Sequence, residues 1–185
     1  MSRTLIALAC ALAGVAAYVG VASSSEPAHP YAHAAERQAA ETSRDADRTR
    51  RQVRIARRAT ARFRSVRRAE RAGYEPAVEC VEGMGYHYGH PDLLGDDRLQ
   101  IRKPEILVYE RQHGRMRLVA LEYFRPDADQ RLDTDDDRPL LFGRGFDGPM
   151  EGHEPGMPVH YDLHAWLFKR NPDGRFAQFN PRVSC

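Results

Sequence analysis

The sequence has 185 residues, of which 42% are hydrophobic and 29% are charged, and its formal net charge at pH 7 is +2. This length allows one domain of ordinary size. The composition excludes a disordered chain, a collagen-like fibre and a protein with several membrane spans.

The first predicted element is a targeting segment at residues 1–25. Arg3 precedes an uncharged run over 5–22, and small residues follow at 23–25, which is the order typical of a secretory signal. We therefore predict an exported protein, located outside the cell, in the periplasm or in the cell envelope. Because the apolar run is about as long as the shortest membrane-spanning helix, an uncleaved N-terminal anchor is the alternative.

Two cysteines, Cys80 and Cys185, lie beyond this segment. In an oxidising compartment, an even pair in a small domain predicts a disulfide bond. A metal-binding or catalytic thiol is the alternative, but the sequence contains no CxxC motif.

Charge divides the remaining chain into two parts. Residues 36–72 contain 13 Arg and five acidic residues, whereas residues 74–185 contain 14 basic and 20 acidic residues. We interpret residues 26–49 as a polar and basic linker that is helical in part. Residues 50–185 then form one domain, with a helix at 50–72 and a sheet body at 74–185.

The basic helix is predicted from its periodicity. The stretch 36–72 contains no Gly or Pro, and apolar or small residues recur at steps of three and four. These residues are Val53, Ala56, Thr60, Phe63, Val66 and Ala69. Gly73 is expected to end the helix, and Pro76 prevents it from resuming.

Opposite charges on the helix and the body favour packing of the helix on the sheet. In the alternative, the arginines of the helix contact an anionic surface as a partner. Nucleic acid is disfavoured as a partner because an exported chain rarely meets it.

The body is predicted to be mainly β-structure. Residues 105–110 and 116–124 flank a glycine turn and predict a hairpin, and a third strand is expected at 158–168. Further strands are predicted at 77–82 and, after a turn at 171–174, at 175–179. The expected fold is α+β, with the long N-terminal basic helix packed on an antiparallel β-sheet or half-barrel.

The strand at 158–168 carries the clearest chemical signal. Side chains two apart share a face, which places His160, Asp162 and His164 on one side and an apolar set on the other. A polar face of this kind must meet solvent, a hydrogen-bond network or a ligand. A single metal ion would take Asp162 with either His160 or His164, because the two histidines are about 13 Å apart on a strand.

Other candidate ligands come from elsewhere in the chain. Glycine-flanked segments, both interpreted as loops, contribute His87 and His90 at 83–90 and His153 with Glu154 at 152–156. A charged residue in an apolar strand, Glu122, needs a partner or solvent. The candidate metal or ligand residues are His87, Glu122, His153, His160, Asp162 and His164.

This ligand set suits Zn²⁺, whereas Met150, His153 and Met157 together suit Cu(I). Covalent catalysis is disfavoured, because residues 74–185 contain a single threonine, Thr134, and a single serine, Ser184, as hydroxyl nucleophiles. We predict an exported domain that binds a small ligand or a divalent metal ion. A structural His/Asp network without metal, a metal-dependent or acid–base enzyme, and a structural envelope protein that contacts anionic surfaces remain the alternatives.

Several long motifs resemble an uncharacterised family of exported bacterial proteins, common in actinobacteria. They are GY at 73–74, GMGYHY at 83–88, PEIL at 104–107, EYF at 122–124, FDGP at 146–149, GHEPGMPVHYDLHAW at 152–166 and NPRVSC at 180–185. The resemblance covers about residues 55–185. It implies export and a single domain, and it implies no activity.

Overall fold

The computed structural model describes residues 30–185, except for the side chains of residues 30–33 and 35. The predicted signal segment at 1–25 therefore lies outside the described residues. The sheet belongs to a compact unit that comprises Gln38–Cys185. Within the described range, no helix combines the length and the apolar character needed to cross a membrane.

Helical structure begins earlier than predicted and is interrupted. Helix α1 spans Pro30–Thr60, and a 3-10 turn at Ala61–Arg64 separates it from α2 at Val66–Glu70. The predicted helix over 50–72 is therefore divided near residue 65. Much of the segment interpreted as a partly helical linker is continuous with α1.

Side-chain hydrogen bonds accompany the interruption. Thr60 Oγ1 donates to the carbonyl of Ala56 at 2.8 Å, and the Tyr109 hydroxyl donates to the carbonyl of Phe63 at 2.6 Å. Tyr109 thus satisfies a carbonyl that has left the regular helical pattern, which lowers the cost of the break. Packing of α1 itself on the sheet stays a prediction.

The predicted end of the helical segment at Gly73 is confirmed. Gly73 has a φ of +94°, and its N–H donates to the carbonyl of Glu70 at 3.1 Å. The N–H of Tyr74 donates to the carbonyl of Ala69, also at 3.1 Å. These two bonds form a Schellman motif, which needs a residue that tolerates positive φ.

Six antiparallel strands form the main sheet, in the order β1-β2-β3-β4-β8-β7. Their bounds are Glu75–Val81 for β1, Gly85–Gly89 for β2, Ile106–Gln112 for β3, Arg115–Pro126 for β4, Asp147–Met150 for β7 and His160–Ala165 for β8. A short helix α3, Pro91–Leu94, follows β2, and β5 at Leu140–Leu141 pairs with β6 at Arg144–Gly145. The helices and this sheet confirm the α+β class.

The predicted hairpin is confirmed, with a shorter turn than the sequence indicated. Strands β3 and β4 are joined by His113 and Gly114, which both have positive φ. Positive φ at both central residues is the requirement of a type I′ turn, whose twist matches that of the flanking strands. The strand expected at 77–82 corresponds to β1.

The prediction of a strand at 175–179 is wrong. The segment instead offers its carbonyls to other groups: Arg175 accepts from the backbone of Trp166, and Ala177 accepts from the Trp166 indole. The carbonyl of Phe179 accepts from the side chain of Asn171 at 2.8 Å. Because these partners hold the backbone, the segment does not need a neighbouring strand.

The alternation predicted for β8 is present. Tyr161, Leu163 and Ala165 belong to the main apolar core, which also contains Phe63, Tyr109 and other buried residues. The side chains between them lie on the opposite face. The Cys80–Cys185 disulfide is also present, with its Cα atoms 5.7 Å apart, and it links β1 to the last residue of the chain.

Candidate metal centre

The register of the sheet assembles the polar side chains that the sequence singled out. Glu122 on β4 is the direct partner of His164 on β8, and Asp162 is two residues away on the same face. On the other side, His87 on β2 pairs with Val108, and Val108 pairs with Ala120, two residues before Glu122. All four polar side chains therefore share one face of the sheet.

Three of these side chains form what we call the inner trio: His87, Glu122 and His164. Nε2 of His87 lies 3.4 Å from Oε2 of Glu122, and Nε2 of His164 lies 3.6 Å from the same oxygen. One potential ligand atom from each residue lies within 4.8 Å of the other two. All three side chains are buried, with Glu122 between the two imidazoles.

His164 also contacts a second carboxylate. Its Nδ1 lies 3.5 Å from Oδ1 of Asp162. A metal-binding histidine typically directs its other ring nitrogen towards a carboxylate or carbonyl, which fixes the orientation of the ring. The arrangement leaves Nε2 of His164 pointing towards Glu122 and His87.

Hydrogen bonding within the protein does not satisfy this cluster. Among the described residues, Oε2 of Glu122, Oδ1 of Asp162 and both ring nitrogens of His164 are buried without a hydrogen-bond partner. The separations of 3.4–3.6 Å are ion-pair distances that exceed ordinary hydrogen-bond lengths. Each unsatisfied buried group costs about 1–3 kcal/mol, which favours a bound group that would engage them.

An outer trio consists of His153, His160 and Asp162, whose ligand atoms also lie within 4.8 Å of one another. His160 is buried and stacks on Phe124 with ring centroids 4.8 Å apart. Its Nδ1 lies 3.0 Å from the carbonyl of Pro158, so Nε2 is the nitrogen left for a ligand. His153 is exposed and its ring meets that of His160 edge-on.

Burial and mutual charge set the protonation states. Burial, with a smaller contribution from the nearby His164, lowers the pKa of the His87 imidazole to about 3, so His87 is neutral. Burial raises the pKa of Glu122 to about 7, against the opposing effect of His164. Burial also lowers the pKa of His164, but the carboxylates of Glu122 and Asp162 outweigh it and raise the value to about 9.

Both trios line a cavity of about 740 Å³. Much of its remaining wall is apolar and comes from β1, β3, β4, α3 and the segment before β8. The segment over 153–158 lines the cavity as well.

The structure brings together all six candidate residues but corrects two local interpretations. His87 lies on strand β2 and not in a loop, because Gly85–Gly89 pairs with both β1 and β3. His90, predicted beside it, lies elsewhere and packs edge-on against Tyr74 with ring centroids 5.0 Å apart. Met157 lines the cavity, whereas Met150 is not among its lining residues.

Sequence reasoning missed the apolar part of the site. Phe124 and Ile106 line the cavity beside the two trios, yet both belong to strands that the sequence marks only as buried. For Phe124, the sequence offered one indication of a place in the site: it is two residues from Glu122 and shares its face. Ile106 is the cross-strand partner of Glu122, a pairing that needs the register.

Comparison with known proteins adds no relative. No family model matches the chain, and neither a curated protein nor a solved structure matches it.

Proposed function

We propose that this chain is an exported domain that binds a divalent metal ion through His87, Glu122 and His164. One observation carries the proposal: three buried ligand atoms from three strands lie within 4.8 Å of one another. Oε2 of Glu122 and both ring nitrogens of His164 also lack hydrogen-bond partners among the described residues. A metal ion bound by Oε2 of Glu122 and Nε2 of His164 would remove the cost of burying these two atoms unsatisfied, while Nδ1 of His164 faces Asp162.

The surroundings of the trio support the same conclusion. His87 is neutral because burial lowers its pKa, so its lone pair is available to a metal. The contact between Asp162 and Nδ1 of His164 corresponds to the carboxylate–histidine pairing common around bound zinc. A purely structural His/Asp network would be expected to pair its own donors and acceptors more completely.

Two imidazoles and one carboxylate favour Zn²⁺ over the softer Cu(I). The inner trio contains no sulfur ligand, and Met150 is not part of the cavity wall. Export is proposed together with metal binding: the Cys80–Cys185 disulfide is compatible with an oxidising compartment.

Elemental analysis of protein purified without a polyhistidine tag tests the proposal, combined with zinc titration against a chromophoric chelator. We expect stoichiometric zinc in the wild-type chain and at least a hundredfold weaker zinc binding in His164→Ala. His113→Ala is the matched control, because His113 is exposed in the β3–β4 turn. If the wild-type protein takes up no zinc, or if His164→Ala binds it equally well, the proposed metal site is wrong.

A metal-dependent enzyme is the second candidate function. Three protein ligands with a further position open to substrate are typical of catalytic zinc sites, whereas structural sites use four protein ligands. The inner trio supplies three, and it lines a cavity. Turnover that zinc restores to chelator-treated protein, and that His164→Ala abolishes with the fold retained, would support this candidate.

A further inference from the structure

We propose that the cavity binds a small, mainly apolar organic molecule whose single oxygen donor group reaches the metal of the inner trio. This inference rests on the proposed metal site and names the class of ligand that the site would take.

The size of the cavity suits a small organic ligand. Its volume of about 740 Å³ falls within the range of about 300–1,000 Å³ found for ligand pockets. A bare metal ion with water would need far less space. The cavity therefore has room for a molecule much larger than the donor group that would contact the metal.

The wall of the cavity favours a ligand with an apolar surface. The apolar lining includes Val78, Met84, Leu94, Ile106, Phe124 and Phe179. Apart from the two trios, Glu154 and Gln178 are the polar residues of the wall, and it contains neither Lys nor Arg. Phosphates and sulfates would thus lack cationic side chains, and sugars would lack partners for most of their hydroxyl groups.

Exposed apolar side chains extend this surface outward. Among the described residues, the large hydrophobic side chains that are exposed are Val81, Leu132, Leu140 and Phe179. Two of them, Val81 and Phe179, line this cavity, and Phe179 is 49% exposed. A bound apolar molecule would remove these side chains from water, which is the main favourable contribution to such binding.

The charges of the centre limit the polar group of the ligand. A divalent ion would be balanced by the carboxylates of Glu122 and Asp162, with His87 and His164 neutral once they face the metal. Such a centre has no excess charge to hold a polyanion, and a quaternary ammonium group has no lone pair to offer the ion. It accepts a neutral or singly charged oxygen donor, such as a carbonyl or a carboxylate.

Calorimetric titration of the zinc-loaded protein with acetate, octanoate, dodecanoate and dodecyltrimethylammonium tests this inference. We expect affinity to rise about fourfold for each buried methylene group. Octanoate should therefore bind at least a hundredfold more tightly than acetate. Dodecanoate should bind at least tenfold more tightly than dodecyltrimethylammonium, which has the same chain and no oxygen donor.

Two substitutions of exposed apolar residues provide a matched pair. Phe179→Asp, beside the cavity, should weaken dodecanoate binding at least tenfold while the zinc content stays unchanged. Leu140→Asp should leave dodecanoate binding unchanged, because Leu140 is more exposed and does not line the cavity.

Zinc content measured on the same samples separates the two proposals. Stoichiometric zinc together with equal affinities for acetate and dodecanoate would overturn the ligand inference alone. An equal loss of binding in both Asp variants would overturn it as well. A chain that takes up no zinc would overturn the proposed metal site and, with it, the metal-directed ligand.

Discussion

Nδ1 of His164 lies 3.5 Å from Oδ1 of Asp162, two residues away on the same strand, while Nε2 of the same ring lies 3.6 Å from Glu122. The imidazole is thus held between two buried carboxylates. Together these carboxylates raise its pKa despite burial. In the proposed metal site, Asp162 would orient the ring and Glu122 would share the metal ion with it.

Replacing Asp162 with Asn should weaken zinc binding about tenfold to a hundredfold without preventing it. The substitution keeps the size of the side chain but removes the charge that holds Nδ1 of His164. Chelator competition measures the effect. An affinity equal to that of the wild type would show that Asp162 does not orient the histidine, and a loss as large as that of His164→Ala would indicate that Asp162 itself binds the metal.

Tyr109→Phe should lower the free energy of unfolding by about 1–3 kcal/mol. The substitution removes the hydroxyl that donates to the carbonyl of Phe63 at the interruption of the helical segment. Urea denaturation provides the measurement. Tyr86→Phe serves as the control, because no hydrogen bond of the Tyr86 hydroxyl is found within the described residues, and a similar loss in both variants would contradict the role of Tyr109.

Gly85→Ala should destabilise the protein and weaken zinc binding together. Gly85 has a φ of +105°, and a Cβ atom there would collide with the backbone carbonyl of Tyr109 on the neighbouring strand. Strand β2, which carries His87, would have to move.

Gly114→Ala is the matched control for this substitution. Gly114 also has positive φ, but a Cβ atom there would meet nothing within 4 Å. We expect it to cost about 1 kcal/mol from backbone strain and to leave zinc affinity unchanged. Equal effects of the two variants on zinc binding would contradict the proposed contact at Gly85.

Ionisation of Glu105 should lower the free energy of unfolding as the pH rises from about 5 to about 8. Burial raises the pKa of this carboxyl to about 8 in the folded chain, partly offset by hydrogen bonds such as that from the N–H of Phe124. The unfolded chain loses the proton near its ordinary value of 4.5. The stabilisation is therefore complete below about pH 4.5 and is lost as the pH rises towards the folded value.

Glu105→Gln tests this dependence because it retains the size of the side chain and cannot ionise. The unfolding free energies of wild type and variant are measured in urea from pH 5 to pH 8. Over this range the variant should gain a few kcal/mol of stability relative to the wild type, on the order of 1.4 kcal/mol for each unit by which folding raises the pKa of Glu105. A difference that does not change with pH would show that Glu105 ionises normally in the folded protein.

Local patterns in the sequence predicted much of the fold. The alternation along β8, the glycine turn between β3 and β4, and the end of the helical segment at Gly73 each depend on residues close together in the chain. Backbone sterics and side-chain periodicity act over such distances, so the sequence expresses them directly.

Errors arose where distant residues decide the local structure. The interruption after Thr60 involves the hydroxyl of Tyr109, which is 46 residues beyond Phe63. Similarly, the segment at 175–179 has strand-like composition, but its carbonyls accept from Trp166 and Asn171. Strand β2 was interpreted as a loop because it is rich in glycine. Its pairing with β1 on one side and β3 on the other makes it a strand.

Sequence patterns were enough to predict the α+β class, the disulfide between Cys80 and Cys185, and the residue types that could form a site. How these residues divide into two trios, and which apolar side chains surround them, depends on the folded sheet. The cause is strand register: a shift of one residue between β4 and β8 would turn Glu122 away from His164. That register is set by contacts across the whole sheet, which no local pattern contains.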